Sequence, residues 1–471
     1  MHKLYWRDRR ITAGDDPIRL AGNVTGKGVG GSTVHYAMYA LRMHRSDFEV
    51  RSRHGLAADW PLRYEDLAPY YEDVERELGI AGPLDWPWDP PRRGAHPYRP
   101  HRLNGVGEIM AEGCERLGIR WRPGPIATLS APMGKRPPCV YRGWCIFGCS
   151  TEAKSSTLVT YVRKAVAAGA DVRPNSMAFR VNLDARGRAR SVSYFRPDGR
   201  GGWREEEQEA SVVIVSAYSI ETPRLLLMSA GPGHPDGLAN GSGLVGRNLM
   251  VHSSHMVFGR FPEPVRQYKA PPASTISQDF YESNPSNDYV RGYSIETVGP
   301  LPIQFAQLLA SSLGLWGREL REVMQDYNHY AGLGLVGETL PQEANGVTLD
   351  RNDRDQYGLP IPVVTFSWHD NDQRLFAAGI DKQRQILEAA GAEETFTVDD
   401  TAHLMGACRM GDDPDRSVVD RDCRSWEVPN LYICDGSVFP TSSASNPSLT
   451  IQAVAARTAD ALIAAAGQRT V

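Results

Sequence analysis

The feature that most constrains the fold is a short apolar run that leads into a helical pattern. Val212 to Val215 are four consecutive apolar residues, and the stretch TPRLLLMSA follows from Thr222. An apolar run of this length, without alternation, is typical of a parallel strand that is buried on both faces. A buried strand that feeds a helix predicts a doubly wound α/β sheet.

Other helices and strands interleave with this unit. The stretch 63–78 has its apolar side chains at helical spacing, and Gly79 follows as a stop. Helical periodicity returns at 105–117 and 371–390, and strands are predicted at 346–350 and 362–368. The predicted fold is therefore a doubly wound sheet interleaved with an α+β unit, built on an antiparallel sheet from about residue 251 to 349.

Composition excludes several classes of protein. The 471 residues carry a formal net charge of −4, which gives no basic footprint for nucleic acid. No apolar run approaches the roughly 20 residues of a membrane-spanning helix, so no transmembrane segment is expected. Seven cysteines are too few for a disulfide scaffold, and the N-terminal residues lack the apolar core of a signal peptide. We expect a cytoplasmic location, unless a signal precedes the given sequence.

A glycine-rich stretch, GKGVGGS from Gly26, formally satisfies the G-x-G-x-x-G pattern. That pattern indicates a dinucleotide site only between a strand and a helix, and AGNVT before it is a poor strand. We therefore do not assign it as the primary dinucleotide fingerprint. A loop with so few side chains can still bring backbone N–H groups against a pyrophosphate or a flat ring.

Three C-terminal segments carry the most specific pattern of the chain: HLMGACRMG from His403, VPNLYICDGSVFPT from Val428, and SNPSLTI from Ser445. Together with GKGVGGS and SIETPRLLL, they resemble the glucose-methanol-choline (GMC) family of flavoprotein oxidoreductases. Within that family the chain is most similar to the flavoprotein subunits of gluconate and sugar dehydrogenases. The resemblance runs through nearly the whole chain. It implies an FAD-dependent enzyme that oxidises the CH–OH group of an alcohol, sugar or polyol by hydride transfer.

Hydride transfer from an alcohol requires a base within hydrogen-bond reach of the hydroxyl proton. His403 matches the family's catalytic His, and Asn446 matches the second member of that pair, which is His or Asn across the family. The resemblance thus implies that His403 accepts the proton while the amide of Asn446 holds the substrate oxygen. Either residue without its motif would be better explained as a structural His or a turn Asn.

The resemblance also assigns residues to the flavin. The first loop contributes Gly26, Gly28, Gly30, Gly31 and Ser32. Asp435 and Gly436 match the contact to the ribityl or pyrophosphate region, with a turn cap as the alternative role for Asp435. Pro447, Ser448 and Leu449 begin a helix predicted to run from Ser448 to Ala466, with Pro447 at its first position. The positive end of that helix would point at the flavin pyrimidine ring.

Two further sites follow from the family pattern. His35 stands four positions after Gly31, where covalently flavinylated members carry the His that bonds the flavin 8α-methyl group, although relatives with an unbonded His also exist. Cys139, Cys145 and Cys149 resemble a three-cysteine loop that ligates an iron–sulfur cluster in some sugar dehydrogenases. Packed or free thiols are the alternative, since no fourth cysteine lies nearby.

The start of the chain departs from the family. Members open with a strand, a G-x-G-x-x-G turn, a helix and a second strand, which bind the ADP half of FAD. Such a unit takes at least about 30 residues, and the segment before Gly26 shows no such pattern. Tyr218 also stands where relatives often carry Gly or another small residue. We therefore expect an N-terminally truncated FAD unit, because the reading frame starts too late, the chain is a fragment, or a second polypeptide supplies the missing unit. A chain without that unit would purify without flavin and be inactive. The alternative function is that of a cofactor-free remnant or partner subunit.

The expected organisation has three parts. An FAD-binding unit comprises residues 1–60, 139–250 and 395–471, and a substrate-binding unit comprises 251–394. Between them, 61–138 holds a helix and a region rich in Pro and Trp, which we interpret as a lid or a packed surface loop. The expected partner is a small alcohol or sugar. Neither the particular substrate nor the electron acceptor follows from these motifs.

Overall fold

The computed structural model describes residues 9–18, 25–92 and 94–467. Its helices are α1 (Val50–His54), α2 (Tyr64–Leu78), α3 (Gly105–Arg116), α4 (Tyr161–Ala167), α5 (Tyr218–Met228), α6 (Pro302–Leu313), α7 (Gly317–Gln325), α8 (Asp370–Ala389) and α9 (Ser448–Gly467). Its strands are β1 (Ile11–Ala13), β2 (Arg122–Pro123), β3 (Met177–Leu183), β4 (Ala189–Pro197), β5 (Trp203–Glu209), β6 (Val213–Val215), β7 (Met250–Ser253), β8 (Met256–Arg260), β9 (Thr275–Ser277), β10 (Tyr293–Val298), β11 (Tyr330–Gly337), β12 (Gly346–Arg354), β13 (Pro360–Thr365), β14 (Glu394–Val398), β15 (Thr401–Met405) and β16 (Leu431–Ile433).

The parallel part of the fold follows the sequence pattern. Strand β6 pairs in parallel with β16, with Val213 opposite Leu431, and α5 follows β6 directly. Strand β1 pairs in parallel with β13, which pairs antiparallel with β12. Strands β3, β4 and β5 form a separate antiparallel sheet. The mixed α/β class predicted from the sequence is confirmed.

The largest sheet is antiparallel. Its strands run in the order β14, β8, β11, β10, β9 and β2, and β7 bridges β11 to β15. Helices α3 and α8 cover one face, where Leu335, Leu375 and Ile386 share a buried cluster. Strand β14 begins at residue 394 and β15 lies beyond it, so this sheet includes residues that the sequence pattern assigns to the FAD-binding unit.

Helix α2 confirms its sequence prediction, and Gly79 ends it with φ 64°, a left-handed conformation that suits glycine. It packs against α9. By length and composition alone α9 could cross a membrane, but Leu449, Ala453 and Val454 are buried in the main core. Helix α9 begins at Ser448, so Pro447 stands immediately before its first position, and the Pro447 carbonyl accepts the first helical hydrogen bond from Ile451 N at 2.9 Å.

The Pro/Trp-rich stretch 83–101 contains no helix and no extended strand in its described part. It is nevertheless ordered by side-chain contacts. The rings of Trp86 and Trp88 lie 4.9 Å apart, and Trp88 Nε1 donates to Asp279 Oδ1 at 2.7 Å. This indole hydrogen bond fixes the stretch to the loop after β9.

Candidate active site

His403 lies at a β-bulge. Strand β15 pairs with β7 so that Ala402 is opposite His252 and Leu404 is opposite Val251, which leaves His403 as the extra residue. Its φ is 57°, in the left-handed region that non-glycine residues adopt rarely and at a cost. Bulges of this kind redirect a side chain out of the ladder, and they are frequent beside active sites.

The redirected imidazole meets a second histidine. Nδ1 of His403 lies 3.0 Å from Nδ1 of His252, and the two rings are nearly perpendicular at 87°. On its other side, Nε2 of His252 donates to the carbonyl of Ser443 at 2.9 Å and to that of Ser442 at 3.1 Å. A chain of hydrogen bonds therefore runs from the bulge on β15 to the loop after β16.

Both imidazoles are neutral at neutral pH. Burial lowers the pKa of His252 to about 4. Burial and the neighbouring charge of His252 lower the pKa of His403 to about 3. A neutral imidazole is the form that can accept a proton.

The loop whose carbonyls accept these hydrogen bonds, Thr441 to Asn446, is held by buried contacts on several sides. Ser442 Oγ and the backbone of Thr339 exchange two hydrogen bonds at 3.0 Å. The hydroxyl of Ser294 donates to the Ala444 carbonyl at 2.8 Å. Trp60 Nε1 donates to Thr441 Oγ1 at 2.8 Å. These buried contacts hold Asn446 in a fixed position relative to the antiparallel sheet.

The amide of Asn446 is buried and incompletely satisfied. Its Oδ1 has no hydrogen-bond partner among the residues that the structure describes, and the same is true of Oε2 of Glu296 on β10. Burial raises the pKa of Glu296 to about 8, against a hydrogen bond from Asn446 that lowers it. Buried polar atoms without partners are rare in native structures, so such a site fits a bound polar group.

Asp435 acts in the structure as a cap. Its Oδ1 accepts from Ser437 N at 2.8 Å, while Oδ2 accepts from Tyr218 N at 2.8 Å and from the Thr222 hydroxyl at 2.6 Å. It thereby joins the end of β16 to the start of α5. Tyr218 has φ 61°, which explains why a small residue suits that position. The turn-cap alternative for Asp435 is thus confirmed as a structural role.

The turn at Gly436 lies beside both α9 and the bulge strand. A Cβ at Gly436 would stand 3.2 Å from Ile451 Cδ1 and 3.6 Å from the carbonyl of Leu404, the residue after His403. Because α9 begins at Ser448, the first N–H groups of that helix have no partner within it. The structure therefore brings His403, Asn446, the Gly436 turn and the positive end of α9 into one region.

The glycine loop has the shape expected of a cradle. Gly30 and Gly31 have φ of 93° and 56°, and a short 3-10 helix runs from Gly31 to Val34. A Cβ at Gly30 would lie 2.7 Å from Leu158 Cβ, whereas at Gly28 and Gly31 it would meet open space. Ser32 Oγ accepts from Gly26 N at 3.0 Å and closes the loop. One side is packed and the other is open, so the loop fits a flat cofactor.

His35 lies directly behind this loop. A Cβ at Gly26 would stand 2.4 Å from His35 Nε2, so only glycine allows this approach. Burial, followed by the charge of Lys154, lowers the pKa of His35 to about 4. Lys154 Nζ donates to the carbonyls of Val34 at 2.6 Å and Cys145 at 2.5 Å, and so joins the glycine loop to the cysteine loop.

The three cysteines of that loop do not form a ligand set. Throughout residues 9–18, 25–92 and 94–467, no group of three or more His, Cys, Asp or Glu is placed to hold a metal ion. Cys139 Sγ accepts from Tyr141 N at 3.3 Å, Cys149 contacts the Thr151 hydroxyl at 3.4 Å, and Cys145 is buried. The sulfurs point into local hydrogen bonds and packing, so the iron–sulfur prediction does not fit this arrangement.

Two site residues escaped the sequence analysis. His252 lies in the apolar stretch LMVH, and Glu296 is the lone charge of the strand YSIETV. A charged or titratable residue inside an otherwise apolar strand is a signal that sequence reasoning could have used. Their partners, His403 and Asn446, are more than 140 residues away and are set by strand register.

Comparison with known proteins identifies the family. Two sequence models of the GMC oxidoreductase family match, one over residues 19–254 and the other over 341–455. The chain is 36% identical to 2-methyl-1,2-propanediol dehydrogenase of Mycolicibacterium austroafricanum, over 92% of this chain and 80% of that protein. It is 30% identical to the fructose dehydrogenase large subunit of Gluconobacter japonicus, over 98% of this chain and 85% of that protein.

Solved structures agree at the level of the fold. Pyridoxine 4-oxidase from Mesorbium loti has a TM-score of 0.63 at 16% identity, over 97% of this chain and 88% of that one. Formate oxidase of Aspergillus oryzae RIB40 has a TM-score of 0.64 at 15% identity, with the same coverage. With two family models matched and relatives similar over most of its length, this chain belongs to the glucose-methanol-choline (GMC) oxidoreductase family.

Proposed function

We propose that the protein is an FAD-dependent oxidoreductase that oxidises a small alcohol, polyol or sugar at a CH–OH group. The observation that carries the proposal is a neutral His403 in the same region as Asn446, whose amide is buried and incompletely satisfied. FAD, when bound, supplies the hydride acceptor. The glycine loop, the Gly436 turn and the start of α9 are the residues that would hold it.

The chain's own residues would handle the proton and the substrate oxygen. Nε2 of His403 has no partner among the described residues, whereas its Nδ1 is engaged by His252. Nε2 is therefore the atom that takes the hydroxyl proton. Asn446 holds the substrate oxygen and so keeps the carbon that loses the hydride in a fixed orientation. This lowers the entropic cost of reaching the reactive geometry.

The relatives support the substrate class. Their names include a dehydrogenase of a branched diol, a dehydrogenase of fructose and a paromamine 6'-oxidase from Streptomyces fradiae, which is 31% identical to this chain. All three names specify small hydroxylated compounds. Similarity over most of the chain favours an active oxidoreductase over the alternative of a remnant without cofactor.

Anaerobic reduction of bound flavin tests this proposal. FAD-loaded protein is mixed with a panel that contains a branched diol, a ketohexose, an aminosugar and a simple carboxylic acid. We expect at least one hydroxylated compound to bleach the visible flavin absorbance, and we expect the acid to be inert. Reoxidation by O₂ and by a quinone, measured on the same sample, separates an oxidase from a dehydrogenase. Loaded protein that no alcohol or sugar reduces would contradict the proposal.

We propose that His35 carries the flavin covalently. A neutral imidazole beside the glycine loop supports this assignment. His35 would hold the flavin through a bond between one of its ring nitrogens and the 8α-methyl carbon. Acid precipitation distinguishes the outcomes, since a yellow pellet that is lost in His35→Ala supports the bond and a yellow supernatant contradicts it. Iron analysis of the same samples is expected to show no stoichiometric cluster.

A further inference from the structure

We infer that His252 is a positioning residue that fixes the tautomer of His403 and leaves Nε2 of His403 as the proton acceptor. The inference rests on the proposed function, because it concerns the base in that reaction. The evidence is a buried series of hydrogen bonds. It runs from Nδ1 of His403 through both ring nitrogens of His252 to the carbonyls of Ser442 and Ser443. The proposed function uses the contact between the two rings but does not say where their hydrogens lie or what fixes them there.

The first step concerns His252 itself. Its Nε2 lies 2.9 Å and 3.1 Å from the carbonyl oxygens of Ser443 and Ser442. A carbonyl oxygen can only accept a hydrogen bond, so Nε2 must carry the hydrogen. His252 is fully buried at 0% exposure and neutral, which leaves Nδ1 with a lone pair.

The second step transfers this constraint to His403. The two Nδ1 atoms are 3.0 Å apart, and one of them must donate. Because Nδ1 of His252 is the acceptor, Nδ1 of His403 carries the hydrogen and Nε2 of His403 carries the lone pair. The opposite tautomer of His403 would set two lone pairs against each other in a buried site, which leaves both without a partner.

The third step is the backbone that brings the rings together. His252 faces Ala402 in the β7–β15 ladder, and the bulge at His403 turns the next side chain towards His252. A regular ladder would send His403 to the opposite face of the sheet. The left-handed φ of His403 directs its ring towards His252. The carbonyls of Ser442 and Ser443 orient the ring of His252, so both features determine the hydrogen bond between the two histidines.

The consequence for the reaction is a proton transfer with a defined path. The substrate O–H bond breaks and its proton moves to Nε2 of His403, while the hydride leaves with its electron pair to the flavin. The resulting imidazolium keeps its Nδ1–H and donates it to His252, a hydrogen bond that strengthens when the donor is charged. His252 neither gains nor loses a proton in this step.

A pair of matched substitutions separates this role from simple anchoring. In His252→Asn, Oδ1 occupies the place of Nδ1 and still accepts from His403. In His252→Gln, the longer amide reaches the carbonyls of Ser442 and Ser443 but offers His403 no acceptor. His252→Phe has neither group. Circular dichroism and flavin content establish that each variant folds and binds FAD.

We expect His252→Phe and His252→Gln to lower the rate of flavin reduction about 10- to 100-fold, with substrate affinity unchanged. His252→Asn should recover most of the rate. The reverse order, with Gln active and Asn impaired, would mean that His252 only anchors the loop and would overturn the inference. Equal losses in all three variants would also overturn it.

A measurement that needs no turnover tests the tautomer directly. Long-range 1H–15N spectra of protein labelled at histidine, assigned with His403→Gln, report which ring nitrogen carries hydrogen. We expect hydrogen on Nδ1 of His403 in the wild type, and hydrogen on Nε2 there would refute the inference. If His403→Ala instead reduces flavin at the wild-type rate, the proposed base is wrong, whatever the spectra show about its tautomer.

Discussion

Arg291 is buried between two carboxylates, and its replacement by Met is expected to destabilise the protein severely. The guanidinium contacts Asp47 and lies 2.8 Å from Oε2 of Glu338, and all three side chains are no more than 1% exposed. Asp47 also accepts from Tyr281 at 2.6 Å, and Tyr281 contacts Ser445 beside Asn446 at 3.1 Å. Arg291→Met would therefore remove stabilising contacts at the place where the candidate site joins the antiparallel sheet.

The expected magnitude follows from burial. Removal of one partner from a buried ion pair leaves an uncompensated charge and costs about 3–5 kcal/mol. Arg260 offers a matched control, because it lies 2.7 Å from both Glu393 and Glu394 but is 30% exposed. An exposed pair of this kind contributes about 0.2–1 kcal/mol. Arg291→Met should thus lose several times more stability than Arg260→Met.

Urea unfolding followed by tryptophan fluorescence measures both losses under the same conditions. We expect a large shift of the midpoint for Arg291→Met and a small one for Arg260→Met. The addition of Glu338→Gln to Arg291→Met should recover part of the loss, because it removes one uncompensated charge. Equal shifts for the two single variants would refute the reasoning that burial decides the value of these ion pairs.

Three further predictions use other parts of the site and its support. Burial raises the pKa of Asp372 from 3.8 to about 7, so its contribution to stability is complete below pH 3.8 and is lost as the pH rises through 7. Asp372→Asn should accordingly be more stable than the wild type at pH 8, by at most about 4 kcal/mol, and not at pH 4, as measured by urea unfolding. Gly30→Ala should lose FAD, because its Cβ would meet Leu158 at 2.7 Å, whereas Gly201→Ala has a similar φ of 91° with open space and should retain the wild-type FAD content. Asp435→Asn should cost about 1–3 kcal/mol and weaken FAD binding in a fluorescence titration, since the amide keeps only one of the two oxygens that accept from Ser437 N, Tyr218 N and Thr222; an unchanged melting temperature would contradict the capping role.

Local sequence patterns predicted much of the fold. The run Val212 to Val215, the helical spacing of 63–78 and the stop at Gly79 each correspond to an element within one or two residues. These signals are local, because helix spacing, apolar runs and glycine stops act within a few residues. The same is true of the capping alternative for Asp435, which depends on the turn that follows it.

The candidate site depended on contacts that no local pattern encodes. The bulge at His403 and the approach of His252 result from the register of β7 and β15, which are about 150 residues apart in sequence. Likewise, Glu296 reaches Asn446 only because β10 lies beside the loop after β16. The cysteine spacing suggested a cluster, but the orientation of each sulfur depends on its local hydrogen bonds.

The rate of flavin reduction in His403→Ala tests the central claim most directly. FAD-loaded wild type and variant are mixed anaerobically with a saturating alcohol identified in the substrate panel, and the single-turnover decrease in flavin absorbance is followed by stopped flow. We predict a rate about 10²- to 10⁴-fold lower in the variant, with unchanged flavin content, because a positioned base contributes that factor. A near-normal rate in a variant that retains its flavin would contradict the assignment of His403 as the base.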